Sequence, residues 1–222
     1  MILYTAKNGV YYNLEDFRQD LSDLKENGFT NKIYINMTNR CSCSCTFCLR
    51  SLKEFNEHNS LWIKEEPTVE KVKAEFEKYD WSHVDEIIFC GFGEPTMRLD
   101  DLVQVASWLK SVHPNIPIRI NTNGLSDLVF GEPTAQRLEG IVDTVSISLN
   151  SSDAQKYVDI TRNRFGLASY QAMLDFAKDC QKYVKTVVMT VVDIIGEEEV
   201  AACQRVCDEH GLTLRVRPYE AN

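Results

Sequence analysis

Four cysteines crowd into the segment Asn39-Arg40-Cys41-Ser42-Cys43-Ser44-Cys45-Thr46-Phe47-Cys48. Thiols at this density point to metal or redox chemistry before they point to disulfides. The reading Cys41-x3-Cys45-x2-Cys48 supplies three sulfur donors. An iron–sulfur cubane is usually held by four thiolates. Three would leave one iron with open positions, where a reactant coordinates, as one does at a catalytic zinc. The plainer alternative is a structural zinc site, which takes four ligands and has four cysteines available here. The mixed one- and two-residue gaps do not match the paired Cys-x2-Cys knuckles of such sites. Cys43 stands outside the three-cysteine pattern and reads as a non-ligand, although the register among Cys41, Cys43 and Cys45 stays open.

Further along lies Cys90-Gly91-Phe92-Gly93-Glu94-Pro95. Glycines let a backbone approach a ligand closely, and Glu94 adds acceptor oxygens; read alone, the segment is a tight turn. Asn121-Thr122-Asn123-Gly124 also reads as a turn. Ser148 and Asn150 close a later β-branched run, and Arg162 and Arg164 precede Gly166. Exposed polar residues in loops are usually just solvated. Cys90, Cys180, Cys203 and Cys207 read as small core residues. His58, His83, His113 and His210 form no metal-binding spacing.

These residues need elements to position them. Six β-branched runs are expected as strands: Lys32–Met37, Asp85–Cys90, Ile116–Asn121, Val142–Leu149, Thr186–Val192 and Leu212–Arg217. Amphipathic helices are expected between them. Val69, Val72, Phe76 and Tyr79 follow the cap Pro67-Thr68; Leu99, Leu102, Val103, Ala106 and Leu109 make a second stripe; Tyr170, Met173, Leu174 and Ala177, with Cys180 or Gln181, make a third. The last helix opens on Glu197-Glu198-Glu199 and closes at His210-Gly211, which suits its dipole and C-cap.

Six strand–helix alternations argue for an α/β fold with parallel strands, a partial (β/α)6 TIM-like barrel, with a doubly wound open sheet as the competing architecture. A short N-terminal extension, residues 1–30, is expected to pack on a core of residues 31–222. It would hold a hairpin around Asn8-Gly9 and a helix near Leu14–Glu26. In either architecture the functional end is the carboxyl end of the strands.

With 222 residues and 44% hydrophobic content, the chain suits one sizeable globular core. Its net charge of −9, from 24 basic against 33 acidic residues, disfavours a nucleic-acid partner. The sequence has no signal-like start and no apolar run long enough for a membrane span, so a reducing, cytoplasmic setting is expected.

The cysteine spacing after a first strand, followed by Gly93-Glu94-Pro95 after the second, resembles the radical S-adenosylmethionine superfamily. The resemblance implies one [4Fe–4S] cluster on Cys41, Cys45 and Cys48, with S-adenosylmethionine chelating the open iron. It implies cofactor contacts from Phe47 near the adenine, from Gly91, Gly93 and Glu94 to the methionine amino group, and from Asn123, Ser148, Asn150 and Arg162. An apolar wall from Val191 or Val192 is also implied, with Val192 preferred; alternation along the strand decides which faces inward. Arg217 and Tyr219 would face substrate or simply sit at the rim. Phe92 departs from the family's strict Gly-Gly-Glu form.

The implied activity is one-electron reductive cleavage of S-adenosylmethionine, giving a 5′-deoxyadenosyl radical that abstracts a substrate hydrogen. A flavodoxin- or ferredoxin-like donor would supply the electron, and the substrate, small molecule or protein, is unidentified. Leu49–Glu66 would shield the site. Within the superfamily the cysteine segment looks most like the small TatD-associated radical SAM proteins. Glycyl-radical activases and deazapurine-type synthases are alternatives, and a non-catalytic iron–sulfur or zinc module is another.

Overall fold

The computed structural model describes residues 1–17, 21–22, 24, 27–52 and 60–219. In chain order the strands are β1 (Leu3–Lys7), β2 (Val10–Asn13), β3 (Lys32–Ile35), β4 (Glu86–Phe89), β5 (Ile118–Thr122), β6 (Thr144–Ser148), β7 (Thr186–Val192) and β8 (Thr213–Arg217). The α-helices are α1 (Leu49–Leu52), α2 (Val69–Phe76), α3 (Leu99–Val112), α4 (Ser126–Phe130), α5 (Ala154–Thr161), α6 (Ala168–Cys180) and α7 (Glu197–His210). All six expected core strands are present as β3 to β8, alternating with helices. The architecture is α/β, with the partial TIM-like alternation anticipated from the sequence.

Two compact units form, one from Met1–Arg40 and Lys53–Ile120, the other from Cys41–Leu52 and Asn121–Ala221. In the first, β1 and β2 make an antiparallel hairpin whose two-residue turn is Asn8-Gly9, with Lys7 opposite Val10. β1 then pairs antiparallel with β3 through Leu3 and Ile35. β3, β4 and β5 run parallel, with Ile33 beside Ile87 and Ile87 beside Ile118. Ile87, Ile88 and Phe89 are all buried, as befits a parallel strand covered on both faces.

Two helices of this unit show how the apolar stripes were used. The Thr68 hydroxyl accepts from the Lys71 N–H at 3.2 Å and so starts α2. α3 buries Leu99, Leu102, Val105, Ala106 and Leu109. Val105 thus takes the place expected for Val103, because it lies three residues from Leu102 and four from Leu109, on the same face. The helix expected over Leu14–Glu26 is a 3-10 turn at Leu14–Phe17; the later part of that range lies largely outside the described residues.

In the second unit β6, β7 and β8 run parallel, with Thr144 beside Thr186 and Val188 beside Thr213. α6 buries Met173, Leu174, Phe176, Ala177 and Cys180, and α7 buries Cys203 and Cys207. These three cysteines are core residues, as their helical spacing suggests. Gly211, in the left-handed conformation, ends α7. No helix among the described residues is long and apolar enough to cross a membrane.

The turn after β5 is tightly seated. Gly124 has φ +75°, and a Cβ there would meet Ile147 Cγ2 at 2.8 Å and Met173 Cγ at 3.0 Å. Gly124→Ala is therefore expected to destabilise the fold by about 1–3 kcal/mol, through overpacking and the disfavoured left-handed backbone. A thermal or urea melt indistinguishable from wild type would show that this seat is loose.

Candidate functional site

The cysteine loop is neither helix nor strand, so its backbone needs acceptors from elsewhere. The Ser44 N–H donates to the Thr161 carbonyl and the Thr46 N–H to the Ile160 carbonyl, both at 2.9 Å. These carbonyls belong to the last turn of α5, where a helix leaves acceptors unpaired. The Arg164 N–H returns a bond to the Ser42 carbonyl at 3.3 Å, and Arg50 Nη2 donates to the Cys43 carbonyl at 3.2 Å. The loop then runs into α1 through Cys48 N–H to Cys45 O.

On this frame Cys41, Cys45 and Cys48 are half-buried thiols outside any disulfide, while Cys43 is buried. The Cys43 N–H donates to Cys41 Sγ at 3.4 Å. Hydrogen bonding to Cys41 and Cys45, followed by burial, raises the Cys43 thiol pKa. The bond from Cys43 lowers that of Cys45, and burial pushes Cys48 up. The thiols are thus near neighbours on one loop. Among the described residues no three His, Cys, Asp or Glu side chains converge as a single-ion site would require. A cubane asks for a different arrangement, since each thiolate takes its own iron. Three soft sulfur donors on one tied-down loop fit such a cluster chemically.

In the first unit, Gly91–Glu94 lies hard against Asn36–Arg40, the segment that precedes Cys41 in the sequence. A Cβ at Gly93 would stand 2.3 Å from the Thr38 carbonyl oxygen, and one at Gly91 would stand 2.1 Å from Asn36 Oδ1. At Gly93 the obstacle is backbone and only glycine fits; at Gly91 a side chain would have to displace the Asn36 amide. The Glu94 N–H donates to the Arg40 carbonyl at 2.8 Å. The Glu94 side chain is buried, and its Oε1 accepts from the Thr96 N–H at 3.0 Å and hydroxyl at 2.7 Å. Phe92, between the glycines, is buried with Tyr4 and Leu61, against Met1, Tyr11 and Tyr34. Its ring meets Trp62 edge-on at 5.3 Å.

The same segment is braced by residues the sequence reading did not single out. Glu66 accepts a two-point bond from Arg40, Nε and Nη2 each at 2.9 Å, and a short bond from the Thr38 hydroxyl. Burial would raise the Glu66 pKa, but the bonds from Arg40 and Thr38 outweigh it and the net shift is downward. Asn39 bonds Ile63 in both directions, at 2.7 and 3.2 Å. Arg98 Nη1 donates to the carbonyls of Met37 and Pro67 at 2.9 and 2.7 Å. The only sequence hint was the run of polar residues Thr38-Asn39-Arg40 directly before the first cysteine.

In the second unit, Phe47, Asn150 and Val192 line one small pocket together with Ile194 and Ile195. Val191 is buried in the core, so Val192 is the strand residue that borders this pocket. Asn150 is buried with φ +62°. Ser148 is half-buried at the end of β6. Arg162 is exposed and ends α5 with φ +46°, and Arg164 stacks over Phe165 at 4.9 Å. Arg217 and Tyr219 are exposed. Asn123 is directed at the cysteine loop, with Nδ2 3.0 Å from Ser42 Oγ. Cys90 is half-buried, in the first unit. Residues 53–59 of the expected shield, which include His58, lie outside the described residues; of the remainder, Leu61 is buried and Trp62 is exposed.

The loop that carries Asn150 is anchored to α7. Glu199 Oε1 accepts from the Ser152 N–H at 2.7 Å and from the hydroxyls of Ser151 and Ser152 at 2.9 Å. These bonds, the Ser152 N–H foremost, outweigh burial and hold the Glu199 carboxyl at about 2, below its ordinary 4.5.

A family model described as the Radical SAM superfamily matches residues 35–205. Two GTP 3′,8-cyclases are similar in sequence. The one from Corynebacterium glutamicum (strain R) is 26% identical over 187 residues, covering 82% of this chain and 47% of its own. The one from Aquifex aeolicus is 25% identical over 186 residues, covering 83% and 55%. The chain thus spans about half the length of the curated relatives it matches. These relatives bear the cyclase name, not that of the TatD-associated proteins which the cysteine segment resembles. Among solved structures, a radical SAM methyltransferase from Sphaerobacter thermophilus aligns with TM-score 0.45 and 14% identity, over 86% of this chain and 67% of that one.

A carboxyl with a depressed folded-state pKa stabilises above its unfolded value and loses that contribution as pH falls. Wild type is therefore expected to lose melting temperature more steeply than Glu199→Gln between pH 4.5 and about 2. Parallel melting curves across that window would show that Glu199 does not anchor the Asn150 loop.

Proposed function

Because the chain belongs to the radical S-adenosylmethionine superfamily, we propose that it cleaves S-adenosylmethionine reductively and uses the 5′-deoxyadenosyl radical to abstract hydrogen from a substrate. One observation carries this reading: Cys41, Cys45 and Cys48 share one loop, tied at Ser44 and Thr46 to the end of α5. These three thiolates would hold a [4Fe–4S] cluster. When bound, that cluster supplies one electron, received from a flavodoxin- or ferredoxin-like donor, for homolysis of a carbon–sulfur bond.

The protein's own work is binding, orientation and exclusion of water. Gly91 and Gly93 give the backbone close approach, and Glu94 offers a buried carboxylate for the methionine amino group. Phe47 and Val192 give apolar walls suited to adenine, and Asn150 contributes a polar group beside them. Ser148 and Arg162 are the further polar contacts we assign to the cofactor. In domain terms, we take residues 31–222 as the core that does this and residues 1–30 as an extension.

The relatives named for GTP make a purine nucleotide the first substrate to test. Protein-directed activation and deazapurine synthesis are the readings that remain if nucleotides have no effect.

After anaerobic loading with iron and sulfide, wild type is expected to release 5′-deoxyadenosine when given reductant and S-adenosylmethionine. Cys45→Ala should lose this by at least the roughly 100-fold that loss of an outer-shell partner costs a metal site. Equal release from the variant, or zinc in place of iron in the wild type, would refute the reading. Adding GTP is expected to raise the deoxyadenosine yield above the uncoupled level. An unchanged yield would remove the nucleotide assignment and leave the superfamily chemistry standing.

A further inference from the structure

Asn123 follows β5, and its amide orientation is fixed by its own turn. Oδ1 accepts from the Leu125 N–H at 3.0 Å. Flipping the amide would set its NH2 group against that N–H, so Nδ2 is the atom that faces the cysteine loop. There it lies 3.0 Å from Ser42 Oγ, 3.4 Å from Cys43 Sγ and 3.8 Å from Cys41 Sγ. The turn cannot slide, because Gly124 is wedged between Ile147 and Met173. Strand β5 therefore delivers a rigid amide donor to the sulfurs, next to the Cys43 N–H that also points at Cys41 Sγ at 3.4 Å.

We propose that Asn123 is a positioning residue for the first cluster cysteine: it fixes the Cys41–Cys43 turn and, by donating N–H to sulfur, raises the reduction potential of the cluster that Cys41 helps to hold. The inference rests on the superfamily reading above. Its physical basis is that reduction adds negative charge to the sulfurs, and a donor aimed at them favours the more negative state. This differs from a direct contact with S-adenosylmethionine. The amide oxygen is engaged by the backbone and the NH2 group by the loop.

Two variants separate this role from simple bracing. Asn123→Leu keeps the bulk and removes the donor. Ser42→Ala removes the shortest of the three contacts and leaves the amide free to face sulfur. The measurement is the midpoint potential of the reconstituted cluster, followed by electron paramagnetic resonance during a redox titration without S-adenosylmethionine. Asn123→Leu is expected to move the midpoint to more negative values, and Ser42→Ala to leave it at the wild-type value. An unmoved midpoint in Asn123→Leu, or an equal shift in both variants, overturns the proposal.

Should Asn123→Leu fail to retain iron, alkylation of the metal-free proteins decides. Cys41 and Cys43 are expected to react faster in Asn123→Leu than in Ser42→Ala, and equal rates overturn the proposal. A wild-type chain that takes up no iron would refute the proposed cluster chemistry and this inference together. A wild-type cluster indifferent to Asn123 would refute this inference alone.

Discussion

The cysteine loop spends its backbone in neither sheet nor helix, so its N–H groups need partners from elsewhere. That constraint governs the second unit. The unpaired carbonyls at the end of α5 are the acceptors, and the loop takes two of them at Ser44 and Thr46. The arrangement works because each side supplies what the other lacks: a helix end has surplus acceptors and an irregular loop has surplus donors. It also explains the placing of Arg162 at the left-handed end of α5. The chain must leave the helix there and return past Ser42, where the Arg164 N–H finds a carbonyl.

The first unit solves a matching problem by different means. Asn36–Arg40 leaves β3 and is fastened by side chains rather than by a helix end. Glu66 holds Arg40 and Thr38, Asn39 holds Ile63, and Arg98 reaches two carbonyls. Gly93 lets a second backbone lie on this segment at a distance no side chain would permit, and Gly91 leaves room for the Asn36 amide. A charged network of this kind gains more from geometry than isolated surface pairs do, since Arg40 engages its carboxylate at two points.

Much of this was legible in the chain. Runs of β-branched residues located all six core strands, and the Asn8-Gly9 pair marked the hairpin. Cysteine spacing singled out the loop, because few other roles crowd thiols so closely. What escaped was tertiary. Glu66 lies 26 residues from Arg40 and Arg98 lies 61 residues from Met37, and no local pattern links them. Val103 and Val105 were equally apolar to the eye, and only the packing of α3 selects Val105. The same holds for Val191 and Val192, whose alternation was clear but whose phase was not. The subfamily resemblance rested on ten residues of one loop, whereas the cyclase similarity spreads over most of the chain.

Phe92 gives the glycine motif two faces. On one face the missing side chains at 91 and 93 admit Asn36–Arg40; on the other the phenyl ring is received by the N-terminal hairpin. The residue at position 92 is therefore answerable to the hairpin and to Leu61 and Trp62, against which it packs. Variation at position 92 should track the hairpin that receives its side chain, while the glycines beside it answer to the neighbouring Asn36–Arg40 segment.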